Sequence, residues 1–149
     1  MIKVKRIDHV AIAVEDRDGF AHGLQQVFAL QDGAREHVAG QKTDVLFLHP
    51  GLPGQAPEAD ALELIAPAGN AGLQKFLDRR GPGLHHICFE VDDLPAALAT
   101  LKAAGVRLID EVPRPGARGH MVAFIHPSDT GGVLFELCAH ASPPSGMSS

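Results

Sequence analysis

Two histidines and two glutamates of this 149-residue chain have the residue types and the spacing of a metal site. When the chain is aligned with itself, His9 in IDHVAIAVED lies against His86 in LHHICFEVDD. Glu63 in ALEL likewise lies against Glu136 in LFEL. Both glutamates occur in apolar strand-like runs, where an unpaired carboxylate is costly. Imidazole and carboxylate together suit Zn, Co, Mn, Ni or Fe(II), so these residues are candidate ligands of a divalent metal ion.

The alignment extends beyond these four residues and indicates two copies of one unit. The shift that aligns the histidines also aligns VLFLHPG with VAFIHPS, which places Phe47 against Phe124. The glutamates align at a slightly smaller shift because the first half contains a longer Pro/Gly loop, GLPGQAPEAD, at 51–60. Copies that pack about a pseudo-twofold axis would bring the four side chains together. An octahedral ion held by four protein ligands keeps two positions for water or a bidentate substrate.

Both copies open with a strand that alternates with a period of two, HVAIAV in the first and HICFEV in the second. Side chains alternate across a strand, so His85 and His86 should point to opposite faces. The repeat aligns His9 with His86, which would share its face with Cys88 and Glu90. Of the two adjacent histidines, His86 is therefore the predicted ligand.

The elements around these strands predict an α+β fold of two tandem βαβββ modules. A helical stretch follows each first strand, at 17–30 and at 94–105, and three further strand-like runs complete each unit. We expect a single domain over residues 1–140, with module one at about 5–70 and module two at about 82–139. The small, polar and proline-rich segment ASPPSGMSS, residues 141–149, is expected to be disordered.

Composition excludes several classes of function. A formal net charge of −5 and the absence of Trp and Tyr argue against nucleic acid as a partner. No stretch approaches the roughly 20 apolar residues of a membrane span, and no export signal is recognisable, so we expect a cytoplasmic protein with reduced cysteines. Four arginines in loop-like segments are candidates for binding an anionic ligand. They are Arg79, Arg80, Arg114 and Arg118.

Three segments together resemble the vicinal oxygen chelate superfamily and, within it, the methylmalonyl-CoA epimerases. They are IDHVAIAVEDRD, LELIAP and GLHHICFEVDDLPAALATLKAAGVRLIDEVPRPGARGHMVAFIHPSDTGGVLFEL. The resemblance extends to about residue 140 and implies a curved mixed sheet, a half-barrel cleft with helices on the outside. The family's metal ligands, carried across one by one, fall on His9, Glu63, His86 and Glu136. The internal repeat selects the same four residues independently.

The resemblance implies a 1,1-proton transfer that interconverts (2R)- and (2S)-methylmalonyl-CoA through a metal-stabilised enolate, with Co, Zn, Mn or Ni as the ion. Glu136 would be one of the two acid/base groups that such an epimerisation needs. Some family members carry the other on the strand at 43–46, where Asp44 is the nearest carboxylate. A slip of one residue would turn Asp44 to the wrong face. An acyl-CoA substrate and a homodimer are also implied.

Three alternatives share much of this fold. A glyoxalase I-like lyase, or lactoylglutathione lyase, also uses paired His and Glu ligands, but the C-terminal segment resembles the epimerases. An extradiol dioxygenase uses two His and one Glu around Fe(II), so a fourth ligand at Glu63 disfavours it. A metal-free member of the superfamily that binds an antibiotic or another small molecule would have no need for all four ligands.

Overall fold

The predicted duplication is visible in the order of the secondary-structure elements. A computed structural model describes residues 1–51 and 60–140. The strands are Arg6–Ala13 (β1), Gln31–Val38 (β2), Thr43–His49 (β3), Ala61–Pro67 (β4), Gly83–Glu90 (β5), Arg114–Pro115 (β6), Met121–Ile125 (β7) and Phe135–Ala139 (β8). The α-helices are Arg17–Gln25 (α1), Ala71–Arg80 (α2) and Leu94–Ala103 (α3). The order β1-α1-β2-β3-β4 is repeated as β5-α3-β6-β7-β8, which confirms the two βαβββ modules.

All eight strands form one curved mixed sheet, a half-barrel, in the order β2-β3-β4-β1-β5-β8-β7-β6. The order reads the same from both edges once β5 to β8 are matched with β1 to β4. Within each module the first and last strands pair in parallel, β1 with β4 and β5 with β8. The two modules join through the antiparallel pairing of β1 with β5. A pseudo-twofold axis therefore passes between β1 and β5.

Each helix begins at a side chain that accepts hydrogen bonds from its first turn. Asp16 accepts from two backbone N–H groups of α1, Asn70 from one of α2, and Asp93 from one of α3. Pro95 lies in the first turn of α3, where its missing N–H costs nothing. Helix α1 is five residues shorter than predicted, because the chain turns towards β2 after Gln25.

Helices α1 and α3 pack on the outer face of the sheet, as predicted, but α2 was not anticipated. Its two buried residues, Leu73 and Leu77, share a core cluster with Ala13, Val45 and Ile65 on the inner face of module one. The helix thus closes one end of the concave side. The remainder of α2 is exposed or partly exposed. Leu73, Phe76 and Leu77 do have helical spacing, but one such short group of apolar residues is a weak signal of a helix in the sequence alone.

Two β-bulges interrupt the pairing of β1 with β5. The register shifts at Asp8 on β1 and again at His85 on β5, each an extra residue without a partner across the ladder. A bulge turns two consecutive side chains towards the same side of a sheet. His85 and His86 accordingly line the same cavity on the inner face. The prediction that they point to opposite faces is therefore wrong.

Two expectations fall outside the described residues: the disordered tail at 141–149 and most of the Pro/Gly loop, at 52–59. None of the helices in the described ranges is both long and apolar enough to traverse a lipid bilayer.

The outer-face core predicts a large stability loss on truncation. Leu64 is completely buried in β4 among residues that pack against α1, so Leu64→Ala should lower the free energy of unfolding by about 2–4 kcal/mol. The matched control is Leu84→Ala, since Leu84 is 73% exposed and its loss should cost less than about 0.5 kcal/mol. Urea unfolding measures both, and equal losses would contradict this assignment of the core.

Candidate functional site

The pairing of β1 with β5 places the four predicted ligands around one point of the inner face. Ala11 pairs with Glu63 on one side and with His86 on the other. At the equivalent position of module two, Cys88 pairs with His9 and with Glu136. Paired residues project to the same side of a sheet. Because Ala11 and Cys88 have small side chains, they leave space on the inner face between the four candidate ligands.

The four side chains approach one another closely. The Nε2 atom of His9 is 3.2 Å from Glu136 Oε1 and 3.5 Å from Glu63 Oε1. The Nε2 atom of His86 is 3.4 Å and 3.7 Å from the same two oxygens. The two imidazole rings lie nearly perpendicular, with 5.5 Å between their centres. Both nitrogens thus face the same pair of carboxylate oxygens.

The hydrogen bonding of this cluster fits a bound cation. The Nε2 atoms of His9 and His86 are buried, yet within the described part of the chain neither has a well-aligned hydrogen-bond partner. Buried polar atoms are normally satisfied, so such a pair calls for an explanation. One ligand atom from each of His9, Glu63 and His86 lies within 4.8 Å of the others. With Glu136 beside both imidazoles, the residues present can hold a divalent metal ion.

The charges of the cluster are strongly coupled. Burial raises the pKa of Glu63, and the negative charge of Glu136 raises it further. For Glu136, burial acts in the same direction, but the charge of His86 and the close approach of the His86 and His9 imidazoles lower its pKa. Burial would lower the pKa of His9, yet Glu63 and a hydrogen bond to Asp8 raise it well above its usual value. Protons therefore balance the carboxylates here, and a divalent cation would displace them.

Each candidate histidine ligand has its Nδ1 atom in contact with the residue at the bulge before it. His9 Nδ1 donates to Asp8 Oδ2 at 2.6 Å, and His86 Nδ1 lies 2.9 Å from His85 Nδ1. Burial, with the charge of His86, lowers the pKa of His85 to about 4. Burial would raise the pKa of Asp8, but its hydrogen bond with His9 and the charge of Arg118 bring it below the usual range.

Two phenylalanines at equivalent positions close the sides of the cluster. Phe47 meets the ring of His9 edge to face at 5.7 Å, and Phe124 meets the ring of His86 at 5.0 Å. Phe47 pairs with Glu63 across β3 and β4, and Phe124 pairs with Glu136 across β7 and β8. This aromatic enclosure keeps the local dielectric low, which strengthens the electrostatic interactions inside it.

Two adjoining cavities open from the cluster. The first, of about 600 Å³, is lined by Glu63, Glu136, His85 and His86. The second, of about 690 Å³, shares His85 and His86 with the first and extends along α2. Its lining combines apolar side chains with three cations. Those cations are Lys75, Arg79 and Arg80.

Asp44, the predicted second acid/base, does not face this site. It shares the outer face of β3 with Leu46 and Leu48, and its side chain contacts His37 Nδ1 at 2.8 Å. Because side chains alternate along β3, its neighbour Thr43 lines the cavity instead. The prediction for Asp44 is wrong by one residue of register.

The arginines predicted to bind an anion divide into three kinds. Arg79 and Arg80 line the second cavity, and Arg114 lines the first while its Nε lies 3.4 Å from Asp110. Arg118 lines neither of these two cavities, and its guanidinium donates to the buried carboxylate of Asp8.

Sequence reasoning missed Asp8 and His140 as parts of the site, and it gave Arg118 a different role, the binding of an anionic ligand. His140 Nε2 donates to Asp8 Oδ1 at 2.8 Å, so Asp8 joins residues from the two ends of the described chain. The alignment did place Asp8 against His85, which was a usable signal. What it lacked was the pair of bulges that turn both residues inwards.

Comparisons of the sequence and of the structure with known proteins agree on one family. A model of the glyoxalase/bleomycin resistance protein/dioxygenase superfamily matches residues 8–124. An ethylmalonyl-CoA/methylmalonyl-CoA epimerase of Cereibacter sphaeroides is 36% identical over 137 residues, covering 90% of this chain and 97% of the relative. The crystal structure of methylmalonyl-CoA epimerase from Mycobacterium tuberculosis has a TM-score of 0.83 and 36% identity, covering 93% of this chain and 90% of that one. A methylmalonyl-CoA epimerase in complex with methylmalonyl-CoA and NH4+ has a TM-score of 0.85 and 30% identity, covering 94% and 97%.

The depressed pKa of Asp8 predicts how stability depends on pH. A carboxyl whose pKa is lower in the folded state stabilises the fold above its ordinary pKa of 3.8, and this contribution is lost as the pH falls through the folded-state value. Asp8→Asn should therefore be less stable than the wild type at about pH 6, with the difference narrowing towards about pH 2. Urea unfolding of both proteins in the presence of a chelator measures this difference in the free energy of unfolding. A difference that is constant or grows on acidification would contradict the assignment.

Proposed function

The chain belongs to the glyoxalase/bleomycin resistance protein/dioxygenase superfamily, and we propose that it is a metal-dependent epimerase that interconverts (2R)- and (2S)-methylmalonyl-CoA by 1,1-proton transfer. The relatives reported above are named as methylmalonyl-CoA epimerases, so the protein is an enzyme of the isomerase class. One observation carries the rest of the proposal. The unsatisfied Nε2 atoms of His9 and His86 face the same two buried carboxylate oxygens.

The proposed ligands are His9, Glu63, His86 and Glu136. A divalent ion bound there would act as a Lewis acid on the thioester and carboxylate oxygens of the substrate, which makes the hydrogen on the carbon between them acidic. The protein's own contribution is to fix the four side chains on adjacent strands before substrate arrives. Such preorganised groups need no rearrangement during the reaction.

Glu136 is the proposed acid/base group on one face of the substrate carbon. Its carboxylate lines the first cavity and has a lowered pKa, so it is ionised and able to accept a proton near neutral pH. Inversion also requires a donor on the opposite face. Asp44 cannot be that donor from the outer face of β3. At that end of the strand the same cavity is lined by Thr43, the first residue of β3, and by Lys42 just before it.

The second cavity is the proposed path of the coenzyme A arm. It leads away from the cluster past His85 and His86, and its apolar lining includes Leu84 and Val133. Both side chains are exposed, as expected for an apolar surface that a ligand covers. The cations of α2 line this cavity, and Arg79 and Arg80 could form charge-assisted hydrogen bonds with the phosphates of coenzyme A.

The geometry favours this proposal over the alternatives. Glu63 lies within 3.7 Å of both imidazoles, so the site offers four ligands where an extradiol dioxygenase would use three. A metal-free binding protein would leave two carboxylates buried for no purpose, at considerable cost. A glyoxalase I-like lyase acts on a glutathione adduct, whereas the long cavity with cations at its rim suits a phosphorylated carrier. The cytoplasmic location and the homodimer stay predictions.

Solvent deuterium exchange into the α-carbon of methylmalonyl-CoA tests the reaction. The metal-supplemented wild type should exchange this hydrogen, and Glu136→Gln should slow the exchange by at least about 100-fold because it removes an acid/base group. His86→Ala should lose exchange together with bound metal. Proton NMR or mass spectrometry of the recovered thioester measures both.

The matched control for this experiment is Asp44→Asn, which changes a carboxylate on the outer face and should exchange at the wild-type rate. A wild type that exchanges no deuterium with any divalent metal would remove the epimerase proposal. Exchange that persists in both Glu136→Gln and His86→Ala would remove the site.

Kinetics with a truncated substrate test the coenzyme A path. The double substitution Arg79→Ala and Arg80→Ala should raise KM for methylmalonyl-CoA roughly 3- to 20-fold, as expected for two partly exposed charge pairs. Its KM for methylmalonyl-pantetheine, which lacks the nucleotide phosphates, should not change. Arg107→Ala, an exposed arginine outside both cavity linings, is the control. An equal change for both substrates would contradict the path.

A further inference from the structure

The two proposed histidine ligands are equivalent in the fold, but the groups at their Nδ1 atoms are not. Asp8 is the partner of His9, and His85 is the partner of His86. A carboxylate only accepts hydrogen bonds, so it fixes a proton on His9 Nδ1 and keeps Nε2 for the cation. A neutral imidazole both donates and accepts, so His85 fixes no such arrangement.

Asp8 is itself held by residues of module two. Its side chain is completely buried. Besides the hydrogen bond from His9, one carboxylate oxygen accepts from Arg118 Nη2 and the other accepts from His140 Nε2 at 2.8 Å. Three donors around one carboxylate leave it a single orientation, and that orientation aims it at His9.

Arg118 reaches Asp8 from an unusual backbone position. It lies in the short turn 117–119 with φ at 58°, in the left-handed region that disfavours residues with a Cβ atom. Its backbone N–H donates to Glu36 Oε1 at 2.5 Å, and its guanidinium lies over the ring of Phe47 at 4.1 Å. A glycine would adopt this conformation freely, so an arginine here indicates that the side chain is needed.

We infer that Asp8 and Arg118 are positioning residues for metal binding: Arg118, carried by module two, orients Asp8, which fixes His9 of module one with its Nε2 towards the cation. The proposal rests on the metal centre proposed above. It makes the affinity for metal depend on a contact between modules, through a residue that touches neither the ion nor the substrate.

Titration of the metal-free protein with Co²⁺ tests the inference. Arg118→Gly removes the guanidinium while relieving the left-handed backbone, and it should weaken Co²⁺ binding about 10- to 100-fold, as loss of an outer-shell partner does. Arg118→Lys retains a cation and should recover part of that loss. Asp60→Gly is the matched control, because Asp60 is an exposed residue with φ at 60° and its substitution should leave the affinity unchanged.

Asp8→Asn supplies a second, independent variant, and it should weaken Co²⁺ binding at least as much as Arg118→Gly. Circular dichroism verifies that each variant is folded before titration. Wild-type protein that binds no Co²⁺ would remove the metal centre itself. Wild-type binding that is matched by folded Arg118→Gly and Asp8→Asn would leave the metal centre standing and overturn only the role of this pair. An arginine-to-lysine variant as weak as the glycine variant would also contradict it.

Discussion

Two carboxylates, Glu63 and Glu136, are buried on the inner face of one sheet, and the surrounding structure is arranged to offset their repulsion. Buried like charges are stable only when opposite charges accompany them. Here two imidazoles stand between the carboxylates, with all the nitrogen–oxygen distances between 3.2 and 3.7 Å. Protons on the imidazoles can balance the two negative charges, but one divalent cation bound by all four side chains balances them more completely. The repulsion between the buried carboxylates is relieved when the cation binds, and this relief contributes to the affinity for metal.

Duplication is what makes this arrangement simple to build. A single βαβββ module supplies one imidazole and one carboxylate, which is too few for a closed metal site. The antiparallel pairing of β1 with β5 brings two modules together so that the second pair falls opposite the first. The symmetry is not complete, however. Asp8 and His85 occupy equivalent bulges with different chemistry, and within the described ranges it is the Asp8 side chain that accepts hydrogen bonds from the other module.

Sequence alone identified the modules and the four candidate ligands, because both follow from the internal repeat. It failed where the geometry depends on contacts between distant strands. Strict alternation put His85 on the wrong face, since a bulge cannot be read from one strand without its partner. Asp44 was wrong for a related reason, a shift of one residue in register. The contact of Arg118 with Asp8 joins residues far apart in the chain, and no local pattern marks it.

The most direct measurement is anomalous diffraction from crystals of the protein loaded with Co²⁺. The account predicts one strong peak per chain, at about 2.0–2.2 Å from the coordinating atoms of His9, Glu63, His86 and Glu136. A second group on the same inner face also offers ligand atoms within reach of one another: Asp8, His120, Cys138 and His140. An ion bound by that group alone, or no ordered ion at all, would contradict the account.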